Sequence, residues 1–144
     1  MTCLSKRKIE EKNKGKIATL DAFYDKFKTD RDCEDFLFEQ RYPNGFVCPR
    51  CGHMHCAHIK GRTGYQCSRC AKQVSATAGT VMERTHVPLR KWFLATFLVV
   101  HDKRGISALR LQHELSVNDK TAYYMLQRIR SSMADSGCLQ RAFG

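Results

Sequence analysis

Residues 48–70, CPRCGHMHCAHIKGRTGYQCSRC, hold eight side chains able to ligate a transition metal: Cys48, Cys51, His53, His55, Cys56, His58, Cys67 and Cys70. A tetrahedral site needs only four of them. Cys48-x2-Cys51 and Cys67-x2-Cys70 are separated by 15 residues, a spacing that fits a four-cysteine zinc site. Two intervening residues let a tight turn aim both sulfurs at one ion while backbone N–H groups point at those sulfurs. Pro49 suits the start of such a turn, and Gly52 can take a positive φ without steric cost. Ala71 holds the equivalent place in the second knuckle, which predicts a less favourable backbone angle there. Four thiolates close the coordination shell and quench Lewis acidity, so one Zn2+ with a structural role is expected. Iron held by the same four sulfurs, as in a rubredoxin, is the redox alternative.

The remaining donors are read as bystanders. Cys56 and His58 lie two apart on a predicted strand and share a face, which need not be the metal's. His53 and His55 follow the first knuckle, where the chain turns away. CAHI and YQC flank the turn KGRTG and predict a hairpin, and KQVSATAGTVM can supply a further strand or strands. That arrangement is a zinc ribbon over residues 46–84. Few large apolar residues fall in it, so its folding is expected to depend on the metal, whose binding is worth on the order of 10 kcal/mol in small modules.

The elements around the ribbon come from a 144-residue chain, enough for one ordinary domain or two small ones. Its longest apolar run, WFLATFLVV, has nine residues, less than half a membrane span. No apolar segment follows the basic N-terminus, so no secretory signal is read, and a reducing cytoplasm is expected. The net charge is +11, with +4 in residues 1–16, −3 in 17–46, +5 in 47–86 and +5 in 87–144. A polyanion, nucleic acid before membrane, is the implied partner.

Residues 1–16 read as a basic disordered arm and 17–45 as a helical segment, with the ribbon over 46–84. A helical segment over 85–134 and a tail over 135–144 complete the chain. The fold class is therefore small α+β. In the second segment, Leu20, Phe23, Tyr24 and Phe27 have helical spacing, and Cys33, Phe36, Leu37 and Gln40 line one side of a second helix near Thr29 and Asp30. Pro88 marks the start of a helix that is apolar nearly all round, from Leu89 to Val100. Burial within the chain is the plainer explanation of such a helix; a partner surface is the other. Ser107 and Asn118 can cap two more helices, joined by SVN as in a helix-turn-helix. Ser116 stands at the turn position where glycine is common. If 122, 126, 129 and 133 form the packing face, the opposite faces carry Asp119, Lys120, Tyr123, Tyr124, Gln127, Arg128 and Arg130. The plainer alternative is a helical hairpin with a solvated basic face.

FVCPRCG, YQCSRCAKQVSATAGTVMERTHVPLRKWFLA and GISALRLQHELSVNDKTAYYMLQRIR together resemble the N-terminal region of insertion-sequence transposases with a zinc ribbon. The upstream FYDKFKTDRDCEDFLFEQRYPNGFVCP resembles the leading segment of the same family, so the likeness covers roughly residues 19–134. The resemblance implies double-stranded DNA at transposon ends as partner. The DNA contacts expected are Lys120, Thr121, Tyr123, Tyr124, Gln127, Arg128 and Arg130, with Arg62 and Lys72 from the ribbon. It also implies a following RNase-H-like domain with three metal-binding carboxylates. After Arg130 come 14 residues with one carboxylate, Asp135, and SGCLQRAFG does not resemble that domain. The expectation is a truncated, nucleoid-associated transposase that binds terminal inverted repeats without strand transfer, and no catalytic residue is assigned. Two other functions stay open: a regulatory or assembly module acting on full-length transposase or on itself, and a ribbon-type transcription or RNA-binding adaptor.

Overall fold

The computed structural model describes residues 19–61 and 64–136. The basic arm, Arg62 and residues 137–144 lie outside the described residues. Among the described residues, five helices and one three-stranded sheet follow in order: α1 Leu20–Lys26, α2 Asp30–Arg41, β1 Cys56–His58, β2 Tyr65–Cys67, β3 Gln73–Val74, α3 Leu89–His101, α4 Ala108–Leu115 and α5 Asp119–Ser136. Contacts divide the chain into two compact units, which hold residues 31–84 in one and residues 19–30 with 85–136 in the other. The segment 17–45 is thus shared between them.

In the first unit the strands form an antiparallel sheet in the order β1-β2-β3. Cys56 pairs with Cys67, Ala57 with Gln66 and His58 with Tyr65 across the hairpin. Successive side chains on a strand alternate faces, so Cys56, His58, Tyr65 and Cys67 share one side. That side is covered by aromatics. Phe38 of α2 stacks on Tyr65 with ring centroids 3.8 Å apart, and Phe46 and Tyr42 pack beside it. Arg41, in the last turn of α2, donates to the carbonyls of Ser75 and Ala78 at 3.1 and 2.8 Å. The ribbon therefore has an aromatic core besides its cysteines, half of it, Phe38 and Tyr42, supplied from outside residues 46–84. The face expected on α2 shifts accordingly. Cys33, Glu34, Phe36 and Phe38 are buried, Leu37 is half-buried and Gln40 is exposed.

The second unit is held by a helical core. Thr19 caps α1 by accepting from the Ala22 N–H at 3.3 Å, and Phe23 and Phe27 are buried against Phe97 and Phe93 of α3. Pro88 takes the N-cap position of α3, with φ −53° and ψ 139°, one residue before the helix rather than in its first turn. Leu89, Trp92, Phe93, Ala95, Thr96 and Phe97 are buried, while Leu94, Leu98, Val99 and Val100 are half-buried. Burial within the chain thus accounts for most of this apolar helix. The Trp92 indole N–H finds Thr85 Oγ1 at 2.9 Å, which satisfies the ring's one polar group.

Ser107 caps α4 and Asn118 caps α5, accepting from the N–H groups of Arg110 and Thr121 at 3.2 and 2.7 Å. Between the helices Ser116 adopts φ 50° and ψ 54°, the left-handed conformation that favours glycine. Leu111 and Leu115 are buried together with Ala122, Met125, Leu126 and Ile129. Among the described residues, no helix is long and apolar enough to cross a membrane.

Candidate metal centre and the exposed face of α5

Each knuckle is a hydrogen-bonded turn, and the two are built alike. The Gly52 N–H donates to the Cys48 carbonyl at 3.0 Å, and the Ala71 N–H to the Cys67 carbonyl at 3.1 Å. The Cys48 and Cys67 N–H groups donate to the carbonyls of His53 and Lys72 at 3.0 and 2.9 Å. Both turns need a left-handed residue after the second cysteine, Gly52 at φ 71° and Ala71 at φ 56°. Ala71 bears the steric cost of a Cβ there.

These turns bring Cys48, Cys51, Cys67 and Cys70 together, with all four Sγ atoms within 4.8 Å of one another. Cys48 Sγ lies 3.5 Å from Cys70 Sγ, and Cys51 Sγ lies 3.6 Å from Cys67 Sγ. A tetrahedron with Zn–S bonds of about 2.3 Å has sulfurs about 3.8 Å apart. The cluster fits one zinc ion in size and in donor type.

Its electrostatics point the same way. Burial alone would raise the Cys48 thiol, but N–H groups of Cys51 and Arg50 and the neighbouring sulfurs bring it down to about 6. At Cys67 the N–H of Cys70 leads in lowering the thiol, against the opposing effect of burial. Cys51 moves the other way. The His53 backbone favours its thiolate, but burial and the three neighbouring sulfurs outweigh that and push it up to about 12. Four sulfurs this close cannot all ionise unless a cation sits among them.

The other four donors stay outside the cluster. Cys56 is buried among the aromatics of the ribbon core, on the same side as Cys67. His53 and His55 meet edge-on, with ring centroids 5.4 Å apart. His58 Nε2 lies 3.0 Å from Oε2 of the buried Glu34. Tyr65 donates to Asp35 Oδ1 at 2.7 Å, and burial followed by the Asp35 and Glu34 carboxylates holds its phenol well above the ordinary range. These two links tie α2 to the ribbon, and the sequence reading missed both. Adjacent acids on the inner side of α2, opposite a strand with His58 and Tyr65, were the available signal.

The nucleic-acid candidates fall elsewhere. Lys72 is exposed, in the turn between β2 and β3. On α5, Lys120, Tyr123, Tyr124, Gln127 and Arg130 are exposed, whereas Thr121 and Arg128 are half-buried. Arg128 donates to Tyr124 Oη at 2.6 Å and lies over that ring, which meets Trp92 edge-on. Arg130 donates to the Ile106 carbonyl at 2.9 Å, so part of its hydrogen-bonding capacity is used within the protein. Lys91 Nζ donates to the Ser116 carbonyl at 3.2 Å, which braces the turn that leads into α5.

Comparison with known proteins places this geometry. Residues 28–73 match the transposase zinc-ribbon domain. This chain carries a transposase zinc ribbon. The match includes all four clustered cysteines and all of α2, whose acids and aromatics pack on the ribbon. An uncharacterized protein in transposable element ISH50 of Halobacterium salinarum is 31% identical over 105 residues, which are 71% of this chain and 35% of that protein. The chain therefore matches about a third of that relative's length. No solved structure matches it. The transposase zinc ribbon is a small α+β unit whose four cysteines are consistent with one zinc ion.

Proposed function

We propose that this chain is a DNA-binding region of an insertion-sequence transposase, which recognises the terminal inverted repeats of its element. The observation that carries the reading is the exposed face of α5. One side of that helix is buried through Ala122, Met125, Leu126 and Ile129, while Lys120, Tyr123, Tyr124 and Gln127 stand in solvent. A helix-turn-helix places the N-terminal residues of its second helix against base edges. Lys120 and Tyr123 occupy that position, and Gln127, Arg128 and Arg130 follow toward the backbone. The net charge of +11 supplies the sequence-independent attraction. Zinc holds the ribbon in shape and takes no part in chemistry. Lys72 and Arg62 add backbone contacts from the ribbon side.

The four cysteines are the one group of three or more metal-ligating side chains brought together among the described residues. We assign these residues to binding rather than to strand cutting and joining, which needs carboxylates clamped around divalent metal. Duplex binding by the full chain tests the reading. Lys120→Ala or Tyr123→Ala should weaken binding to the terminal repeat by about 1–3 kcal/mol more than binding to random duplex. Equal loss on both sequences would remove base reading from α5. Preference for a single-stranded or RNA ligand, in selection from a random pool, would replace duplex DNA as the partner.

A further inference from the structure

A second basic surface lies away from the N-terminal turn of α5. The end of α3, the following loop and α4 line an open cleft of about 410 Å3. Leu98 and Ile106 form its apolar wall, and His101, Lys103, Arg104 and Arg110 bring basic side chains to it.

The loop has a defined shape because Asp102 organises it. Asp102 Oδ1 accepts from the Arg104 N–H at 3.0 Å, and its carbonyl accepts from the Gly105 N–H at 3.1 Å. Its Oδ2 accepts from Arg110 Nη1 at 2.9 Å. Gly105 turns the chain into α4 with φ 78°. One carboxylate thus answers one guanidinium, that of Arg110. The side chains of Lys103 and Arg104 are exposed, with no ion-pair partner among the described residues. Arg130, anchored on the Ile106 carbonyl, adds a fourth cation at the edge. His101 is fixed from behind, its ring stacked on Phe97 and Nδ1 2.9 Å from the Phe97 carbonyl. Unpaired cations on a hydrogen-bonded loop cost less entropy to engage than cations on a free chain.

We propose that this cleft is a DNA-backbone site, where Lys103 and Arg104 engage phosphates of the duplex that α5 reads. The inference rests on the DNA-binding reading above. It extends the contact surface to residues with no part in base recognition. In a helix-turn-helix the first helix crosses the backbone beside the groove, and α4 begins at this cleft. Contacts of this kind fix register and orientation without carrying sequence information.

The test is a salt titration of duplex binding by the wild-type chain and by Lys103→Ala/Arg104→Ala. Asp102, Arg110 and the core remain intact in that variant, and its circular dichroism should match the wild type. Each phosphate contact contributes about −0.9 to the slope of log affinity against log salt. Removing two should make the slope shallower by about 1.8, so that wild type loses about tenfold more affinity than the variant between 50 and 200 mM salt. The loss at low salt should be equal on the terminal repeat and on random duplex, unlike that of the Lys120 variant. An unchanged slope in the variant, with wild type still binding, would overturn this site alone. No duplex binding by wild type would overturn the DNA reading and this site with it.

Discussion

The two compact units reach stability by different routes. The unit over residues 31–84 has three strands of two or three residues each, too short to stand as an isolated hairpin or sheet. It relies on four sulfurs placed for one ion and on a small aromatic cluster of Phe38 from α2 with Tyr42, Phe46 and Tyr65. The unit of residues 19–30 and 85–136 has Trp92, Phe23, Phe27, Phe93, Leu111, Met125 and Ile129 almost completely buried, and no cysteine cluster among its described residues. The difference teaches where metal is needed. Short strands bury too little apolar surface to offset chain entropy, whereas helices with wide apolar faces can do so.

The largest effect that sharpens this contrast is Cys67→Ser. It leaves three thiolates, and a metal contribution on the order of 10 kcal/mol is mostly lost. Native mass spectrometry should show the zinc gone, with amide signals of residues 46–76 collapsing while those of α3–α5 persist. Retained zinc with an intact ribbon would break the contrast. Trp92→Ala is the converse test. Truncating a fully buried aromatic costs about 3–5 kcal/mol, so the helical unit should melt early while the protein still holds one zinc.

Proton competition comes next in size. The fold holds Cys48 down to about 6 from an ordinary value of 9.0. A thiol depressed by folding adds stability that is complete above the unfolded value and is lost as pH falls through about 6. Cys51, pushed up to about 12, keeps its proton at neutral pH until zinc displaces it. Zinc affinity, measured against a competing chelator, should therefore rise with pH between 6 and 8, by about tenfold per unit for each proton released. A flat profile would mean that the thiols do not ionise on binding. The helical unit has no such thiol cluster among its described residues, and its melting should change less over that interval.

The smallest effect is a matched pair. Ala71 and Ser116 hold φ 56° and 50° in the two units, where a side chain costs roughly 1 kcal/mol relative to glycine. Ala71→Gly should stabilise the zinc-bound ribbon, and Ser116→Gly the helical unit, by about 0.5–1 kcal/mol each, as read from denaturant midpoints. Destabilisation by either would show that glycine's extra freedom in the unfolded chain outweighs the relief.

Both strained positions were legible in the sequence, because a cysteine knuckle and a tight turn between two helices each demand a left-handed residue at a known offset. The cysteine cluster, the hairpin, the third strand and the caps at Ser107 and Asn118 were legible for the same reason. Each is a short-range pattern with a local cause. What escaped depends on distant partners. Nothing near Phe38 says that it will stack on Tyr65, and nothing near Glu34 says that a buried carboxylate will meet His58. Leu20–Lys26 is a seven-residue helix with buried Phe23 at its middle and buried Phe27 just past its end, and its spacing does not reveal that Phe97 and Phe93 will receive them.

The central claim is that zinc holds one unit and an apolar core holds the other. Hydrogen exchange of the full chain, with zinc bound and after chelation, tests it most directly. Chelation should remove protection from the amides of β1–β3 and both knuckles, while α3 and α5 keep theirs. Equal loss of protection in both units, or no loss in the ribbon, would contradict it.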